Sequence, residues 1–315
     1  MANCSNKFCT FNDSITLTDT QEENLRRGRD SLRDEIKQYY KDKNLNQPQF
    51  CGQGSFAMRT TIQQDGEDYD LDDGVYLQHL PENKSDWPQA EAVHAEIIEA
   101  VKNHTTTSPL DKHACVRVQY KNDYHIDLAI YAENKDKTYL ARKGSGQWEE
   151  NDPKLFDQWF HDKLETFGEQ YRRLCRYIKK WSYYNGYSDE ITGFLISILV
   201  GNNISSGDNN DDSALAVTLD KIVTNLKQDR CITRPVEPHK NMTEKFSDDE
   251  FQKRFIDRFS EFNTKAKNAV DATTEKESCD IWISLFGSDF PESNESVYDK
   301  SFSTNITEEV HPWGN

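Results

Sequence analysis

Apolar positions recur at helical spacing over Thr18–Asn44, where Leu25, Leu32, Ile36 and Tyr40 fall on one side of an otherwise charged stretch. With Thr18 or Asp19 as a cap and Pro48 beyond its end, this predicts one long helix. The pattern then changes. "QFCGQGSFAMRTTI" (49–62) carries glycines at 52 and 54, and "EDYDLDDGVYL" (67–77) turns from acidic to apolar in the β-rich manner of a strand. Pro88 opens a further helical pattern. "ACVRVQYKNDYHIDLAIYA" (114–132) alternates on both sides of "KND" and predicts a hairpin. From "DPKLFDQWFHDKL" (152–164) to Phe286 the periodicity is helical. The order predicts an α+β chain of four parts: an N-terminal segment 1–17, a mixed core 18–153 that includes the long helix, a helical lobe 154–291, and a polar tail 292–315. A cleft is expected where the two lobes meet, near Asp152–Pro153.

Charge and composition narrow the function. The chain has 315 residues, 35% hydrophobic and 11% aromatic, enough to build a core at a mean hydropathy of -0.90. Its net charge of -17 disfavours long nucleic acid and anionic membrane surfaces, although small phosphorylated substrates remain open to it. Seven widely spaced cysteines without a CxxC predict reduced thiols rather than a disulfide framework or a zinc ribbon. "MANCSNKFCTFNDS" has no basic and apolar leader pattern, and "GFLISILV" (193–200) is far short of the ~20 apolar residues of a membrane span. A cytoplasmic protein is expected.

Three features suggest chemistry. Asp70 and Asp72 lie two apart, so a strand points both to one side, where like charges repel. Asp127 lies between Ile126 and Leu128 in an apolar strand, an odd place for an unpaired carboxylate. Gly54-Ser55 forms a turn of the kind that exposes backbone N–H groups to phosphate. The first and the third have plain readings: a solvated edge with a turn at Asp73-Gly74, and an ordinary Gly-Ser turn. Arg172, Arg176 and Lys179/Lys180 likewise form a stripe opposite Leu174, Ile178 and Trp181 that could be the wet face of a helix. Together, three carboxylates are the ligand set for two Mg²⁺ ions in phosphoryl and nucleotidyl transfer.

Gly54-Ser55, Asp70-Leu71-Asp72 and Ile126-Asp127-Leu128 resemble the hG[GS]…DhD…hDh signature of polymerase-β-like nucleotidyltransferases. "DLDDGVY" (70–76) and Arg176-x-x-Lys179-x-Trp181 are similar to one branch, the bacterial cyclic-oligonucleotide synthases (CD-NTases), in particular their dinucleotide cyclases. The resemblance covers roughly residues 20–291. It implies a polymerase-β-like palm, a C-terminal helical lobe and an active site between them. It also implies two Mg²⁺ ions, with Mn²⁺ as a substitute, on Asp70, Asp72 and Asp127, the last also acting on the attacking hydroxyl. Gln53, Gly54 and Ser55 would hold the donor phosphates, and Arg176 and Lys179 the triphosphate. Phe56 or Tyr76 would stack on a base, unless both are core. The implied product is a cyclic dinucleotide, or a short cyclic oligonucleotide, made from NTPs in anti-phage signalling. The implied partners are an effector protein activated by the product and a regulatory partner at the C-terminal tail. The zinc insertion of the animal DNA sensor is absent. Transfer of a nucleotide to a protein or RNA end, or nucleotide binding without activity, are the alternatives.

Overall fold

The computed structural model describes residues 4–63, 68–121, 124–144, 147–205, 207 and 210–294. The tail from 295 onward, the acidic positions 65–67 and the turn positions 122–123 lie outside the described residues.

Two helices open the chain, α1 (Ser5–Ile15) and α2 (Asp19–Asp42). The second is the long helix expected from the pattern. It starts at a capping box in which the Thr18 hydroxyl accepts from the Gln21 N–H and the Gln21 side chain accepts from the Thr18 N–H. Its buried face is Leu25, Gly28, Leu32, Ile36 and Tyr40. The sheet comprises β1 (Gln49–Gln53), β2 (Tyr69–Leu77), β3 (Leu110–Asp111), β4 (Val116–Tyr120), β5 (Tyr124–Asn134), β6 (Lys137–Arg142) and β7 (Gln147–Glu150). Its order is β1-β2-β5-β4-β3, with β6 and β7 continuing from the distal half of β5. Among the described strands only β2 and β5 run parallel. A short turn of helix, α3 (Gly54–Ala57), follows β1, and α4 (Ala90–Val101) packs with α2 against one face of the sheet. With that face covered, β5 is buried along almost its whole length.

The remaining helices are α5 (Pro153–Phe167), α6 (Glu169–Tyr184), α7 (Gly193–Asn203), α8 (Asp211–Asp229), α9 (Asp248–Phe251), α10 (Arg258–Asp271) and α11 (Glu275–Phe286), with a π-helical turn at Gln252–Asp257. They form a second core of their own. Asp152 caps α5, its carboxylate accepting from the Lys154 and Leu155 N–H groups, with Pro153 at the first helical position. Among the described residues no helix is long and apolar enough to cross a membrane, and all seven cysteines are free thiols.

Two elements differ from expectation. Residues 4–15 are not a separate segment. Cys4, Phe8, Phe11 and Ile15 repeat at four, three and four residues and are buried in the helical lobe. Phe8 meets Tyr177 and Trp282 edge-on at 5.0 Å each. The lobe core that follows residue 153 is thus completed by the first residues of the chain. The second difference is at Asp73-Gly74, which is not a turn. Strand β2 runs on to Leu77, and Asp73 points away from Asp70 and Asp72 into a buried ion pair, Arg33 Nε donating to its Oδ2 at 2.7 Å.

Candidate active site

The parallel pairing of β2 with β5 creates the acidic centre. Asp72 stands beside Asp127, and Asp70 beside His125. Period two puts all four on one face, opposite the face covered by α2 and α4. Burial pushes the Asp72 carboxyl well above the usual carboxylate range, as do the charges of Asp70 and Asp127, while Arg117 and Lys179 pull it down. On β4, Arg117 is in register with Asp127 and holds it in a fork, Nε to Oδ1 at 2.8 Å and Nη2 to Oδ2 at 2.7 Å. An isolated carboxylate here would be costly, and Arg117 offsets that cost.

Gly54 closes the centre on its β1 side. Its φ is +70°, and a Cβ at this position would lie 2.0 Å from Asp72 Oδ2. The turn needs glycine for its backbone conformation and for the approach of the carboxylate. Beside it, the hydroxyls of Ser55 and Thr61 are 2.9 Å apart, and Gln53 Nε2 donates to the Tyr131 hydroxyl at 3.1 Å. Gln53, Gly54, Ser55, Asp70, Asp72 and Lys179 all line one cavity of about 700 Å³ between the lobes. That volume is in the range of small-molecule sites. Asp127 is in contact with this centre through Asp72 and Arg117.

Arg176 is engaged away from the cavity, contrary to the expected triphosphate contact. It donates from Nε and Nη2 to the Arg59 carbonyl at 3.1 and 2.8 Å, and from Nη1 to Asn12 Oδ1 at 2.6 Å, and it does not line the cavity. It belongs to a clasp. Arg172 Nε donates to the Met58 carbonyl at 2.9 Å and Lys179 Nζ to the Thr60 carbonyl at 2.9 Å. One stripe of α6, at i, i+4 and i+7, thus grips three consecutive carbonyls just after α3. Neither the wet-face reading nor triphosphate contact describes Arg172 and Arg176. Only Lys179 reaches the cavity, where burial pushes its ammonium down to about 8. Lys180 instead pairs with Asp289. Tyr76 is core, stacked on Tyr131 at 5.0 Å, and Phe56 packs against the core of the first lobe.

Sequence reasoning missed Arg117, His125 and a basic wall made by Arg142, Arg234 and Lys240. Alternation alone could have found the first two, since Arg117 lies between Val116 and Val118 and His125 two before Asp127. The wall depends on a loop folding across from the other lobe, which no local pattern reports.

The acidic centre fits a divalent cation. Its donors are hard oxygens on one face, and the repulsion that raises Asp72 is what a cation would relieve. Among the described residues no three His, Cys, Asp or Glu side chains are gathered at metal-ligand spacing. Arg117 holds Asp127, so cation binding requires Asp127 to share or leave that fork.

A mixed sheet with adjacent acidic strands, a Gly-Ser turn beside them and a helical lobe across the cleft make up the fold expected of a polymerase-β-like nucleotidyltransferase. Residues 48–131 match the family model for the cyclic GMP-AMP synthase DncV-like nucleotidyltransferase domain. Over 185 residues the chain is 25% identical to the cyclic GMP-AMP synthase of Vibrio cholerae, covering 42% of each. Over 237 residues it is 25% identical to that of Escherichia coli, covering 58% of this chain and 53% of the relative. The chain thus spans about half the length of the curated relatives it matches. The fold is similar to that of Vibrio cholerae DncV cyclic AMP-GMP synthase, with a TM-score of 0.77 at 17% identity over 93% of this chain and 98% of that one. DncV has also been solved with the linear intermediate 5′-pppA(3′,5′)pG, at a TM-score of 0.75, 17% identity and 92% and 97% coverage. The Escherichia coli CdnC:HORMA-deltaN complex gives 0.70 at 15% identity over 91% and 98%. Over these stretches the chain is similar to the DncV-like cyclic GMP-AMP synthases, and over nearly its whole length it shares their fold.

Proposed function

We propose that this protein is a Mg²⁺-dependent synthase that joins two NTPs into a cyclic dinucleotide with release of pyrophosphate. The observation that carries this reading is the in-register set of Asp72 and Asp127 with Asp70, closed by Gly54 against Asp72. Asp70, Asp72 and Asp127 would hold the cations. A divalent metal held there would lower the pKa of an attacking hydroxyl and stabilise charge on the leaving pyrophosphate. The turn at Gly54-Ser55 and the Lys179 ammonium orient the donor phosphates. Arg172 and Arg176 keep that turn at a fixed height above the acids by gripping the chain behind it. His125, beside Asp70 in the same cavity, would contact a bound nucleotide.

Product made in the cytoplasm would activate a separate effector in anti-phage signalling. A partner protein at the C-terminal tail would regulate the enzyme, in keeping with a relative solved as a HORMA complex. The test is incubation with Mg²⁺ and the four NTPs, then phosphatase treatment and mass spectrometry, with Asp70→Ala/Asp72→Ala in parallel. A phosphatase-resistant cyclic species lost in the variant is expected. Label transferred to protein or RNA, without a soluble product, would replace this reading with macromolecular nucleotidyl transfer.

A further inference from the structure

Helix α1 lines no part of the cavity, yet it reaches the chain that follows the Gly54-Ser55 turn at two places. Just past its end, Thr16 bridges Ile62, and the Gln63 N–H donates to the Ile15 carbonyl at 2.7 Å. One turn earlier, Asn12 Oδ1 accepts from Arg176 Nη1 at 2.6 Å. The other edge of that guanidinium, Nε and Nη2, is on the Arg59 carbonyl. The helix itself is seated in the core of the helical lobe through Phe8 and Phe11, and the Tyr177 hydroxyl donates to the Phe8 carbonyl at 3.2 Å.

The stretch that Arg176 grips is one hydrogen-bonded unit with the turn. The Met58 N–H donates to the Gly54 carbonyl at 3.2 Å, the Arg59 N–H to the Phe56 carbonyl at 3.1 Å and the Thr60 N–H to the Ser55 carbonyl at 2.8 Å. Arg59 has a φ of +55°, in the left-handed region where a residue other than glycine is strained. The direction of its carbonyl must therefore be held by its surroundings. Arg176 holds it with two donors on one oxygen, which leaves the planar guanidinium free to pivot about that oxygen. A third bond from the opposite edge removes the pivot, and Asn12 supplies it. Arg176 is buried, and among the described residues Asn12 is the one side chain that accepts from it.

We propose that Asn12 is a positioning residue for nucleotidyl transfer, acting through Arg176 to hold the Gly54-Ser55 turn in place beside the acidic centre. This rests on the reading of that turn as the donor-phosphate support. Lys179 follows Arg176 on α6 by less than one turn, so α1, α6 and the turn form one frame. Within it, the Lys179 ammonium and the N–H groups of the turn approach a phosphate from fixed directions. Loss of the Asn12 acceptor removes none of the groups that would touch a nucleotide and alters only their relative placement. Rate is sensitive to such placement, since about 1 Å costs on the order of 10²-fold. Affinity, set by the same charges and N–H groups, changes little. Asn12 is itself half-buried and carries no share of the apolar core, so its loss acts on geometry more than on stability.

The test compares the full chain with Asn12→Ala and with Asn12→Asp, whose carboxylate still accepts from the Arg176 guanidinium. Amide hydrogen exchange is followed by mass spectrometry without nucleotide or metal. Exchange over residues 54–63 is expected to rise about tenfold in N12A, to stay at the wild-type rate over β5, and to return to it everywhere in N12D. In the synthase assay kcat should fall about tenfold in N12A with KM within about threefold of wild type, and N12D should recover it. The melting temperature of N12A should stay within about 3 °C of wild type. Unchanged exchange over 54–63 overturns the proposal, and so does a uniform rise along the chain, which a merely structural role would give. A kcat loss that N12D does not recover, or a rise in KM at constant kcat, overturns it as well. Absence of any nucleotide product from the wild type would sink the synthase reading alone, and the exchange comparison would still decide whether Asn12 holds the turn. If N12A fails to fold, Asn12→Leu, close in volume and a better helix former, carries the exchange comparison with the same two outcomes.

Discussion

Replacing Gly54 with alanine adds one carbon at a place where the structure has almost no room. The new Cβ would lie 2.0 Å from Asp72 Oδ2, whereas real Cβ contacts essentially never fall below 3.0 Å, so the carboxylate must retreat by 3.0 − 2.0 = 1.0 Å. Two costs follow. Alanine at a φ of +70° is strained by roughly 1–2 kcal/mol relative to glycine, which appears as lost stability. If Asp72 is the metal ligand proposed above, its displacement by about 1 Å costs on the order of 10²-fold in rate, which is about 2.7 kcal/mol of transition-state free energy. Gly52, two residues earlier, is the internal control, because a Cβ there meets nothing within 4 Å. Gly52→Ala should stay within about 0.5 kcal/mol and threefold of wild type. The assays are thermal unfolding without metal and pyrophosphate release at saturating NTP and Mg²⁺. Wild-type turnover in G54A, or equal losses in G52A and G54A, would refute the claim that this turn is glycine because it abuts the acidic centre.

Three further outcomes are expected. The folded state raises the Asp72 pKa, so stability tied to this group is greatest when it is protonated and declines as pH rises from about 4 through the elevated folded value. Asp72→Asn should therefore raise the melting temperature of the metal-free protein near neutral pH while abolishing synthesis, and Mg²⁺ at about 100 times its Kd should add about 2.7 kcal/mol to wild type but not to the variant. Lys179 titrates near 8 in the substrate-free fold, below its ordinary value, so donor binding should weaken as pH rises through 8, and that slope should vanish in Lys179→Met. The depressed pKa also means that folding stability gained from the neutral amine grows between about 8 and 10.5. Phe8→Ala, at a fully buried ring in α1, should cost about 3–5 kcal/mol in chemical denaturation, whereas a dispensable N-terminal segment would show no loss.

Much of the geometry of the candidate site was legible in the sequence because its logic is local. Strand period two sets Asp70 and Asp72 on one face, and an apolar run around Asp127 marks a carboxylate that needs a partner. The helical lobe was equally legible, since its period of 3.6 recurs from Asp152 onward. The N-terminal helix carried its signal too, in Cys4, Phe8, Phe11 and Ile15, but that stripe is narrow in a polar stretch.

Other features required the chain to close on itself. The parallel register of β2 and β5 decides that Asp72 meets Asp127, and β4 decides that Arg117 neutralises it. The stripe of α6 reads identically whether it faces water, a triphosphate or a backbone. Only the packing of α6 behind α3 turned Arg172 and Arg176 into a clasp and left Lys179 for the cavity. Arg234 lies 164 residues beyond Asp70 and enters the same cavity through a loop that nothing local marks. Sequence by itself determined which side chains share a face, because periodicity is a property of one element. Tertiary structure decided which faces meet, because charge compensation and burial belong to pairs of elements that the chain brings together only when folded.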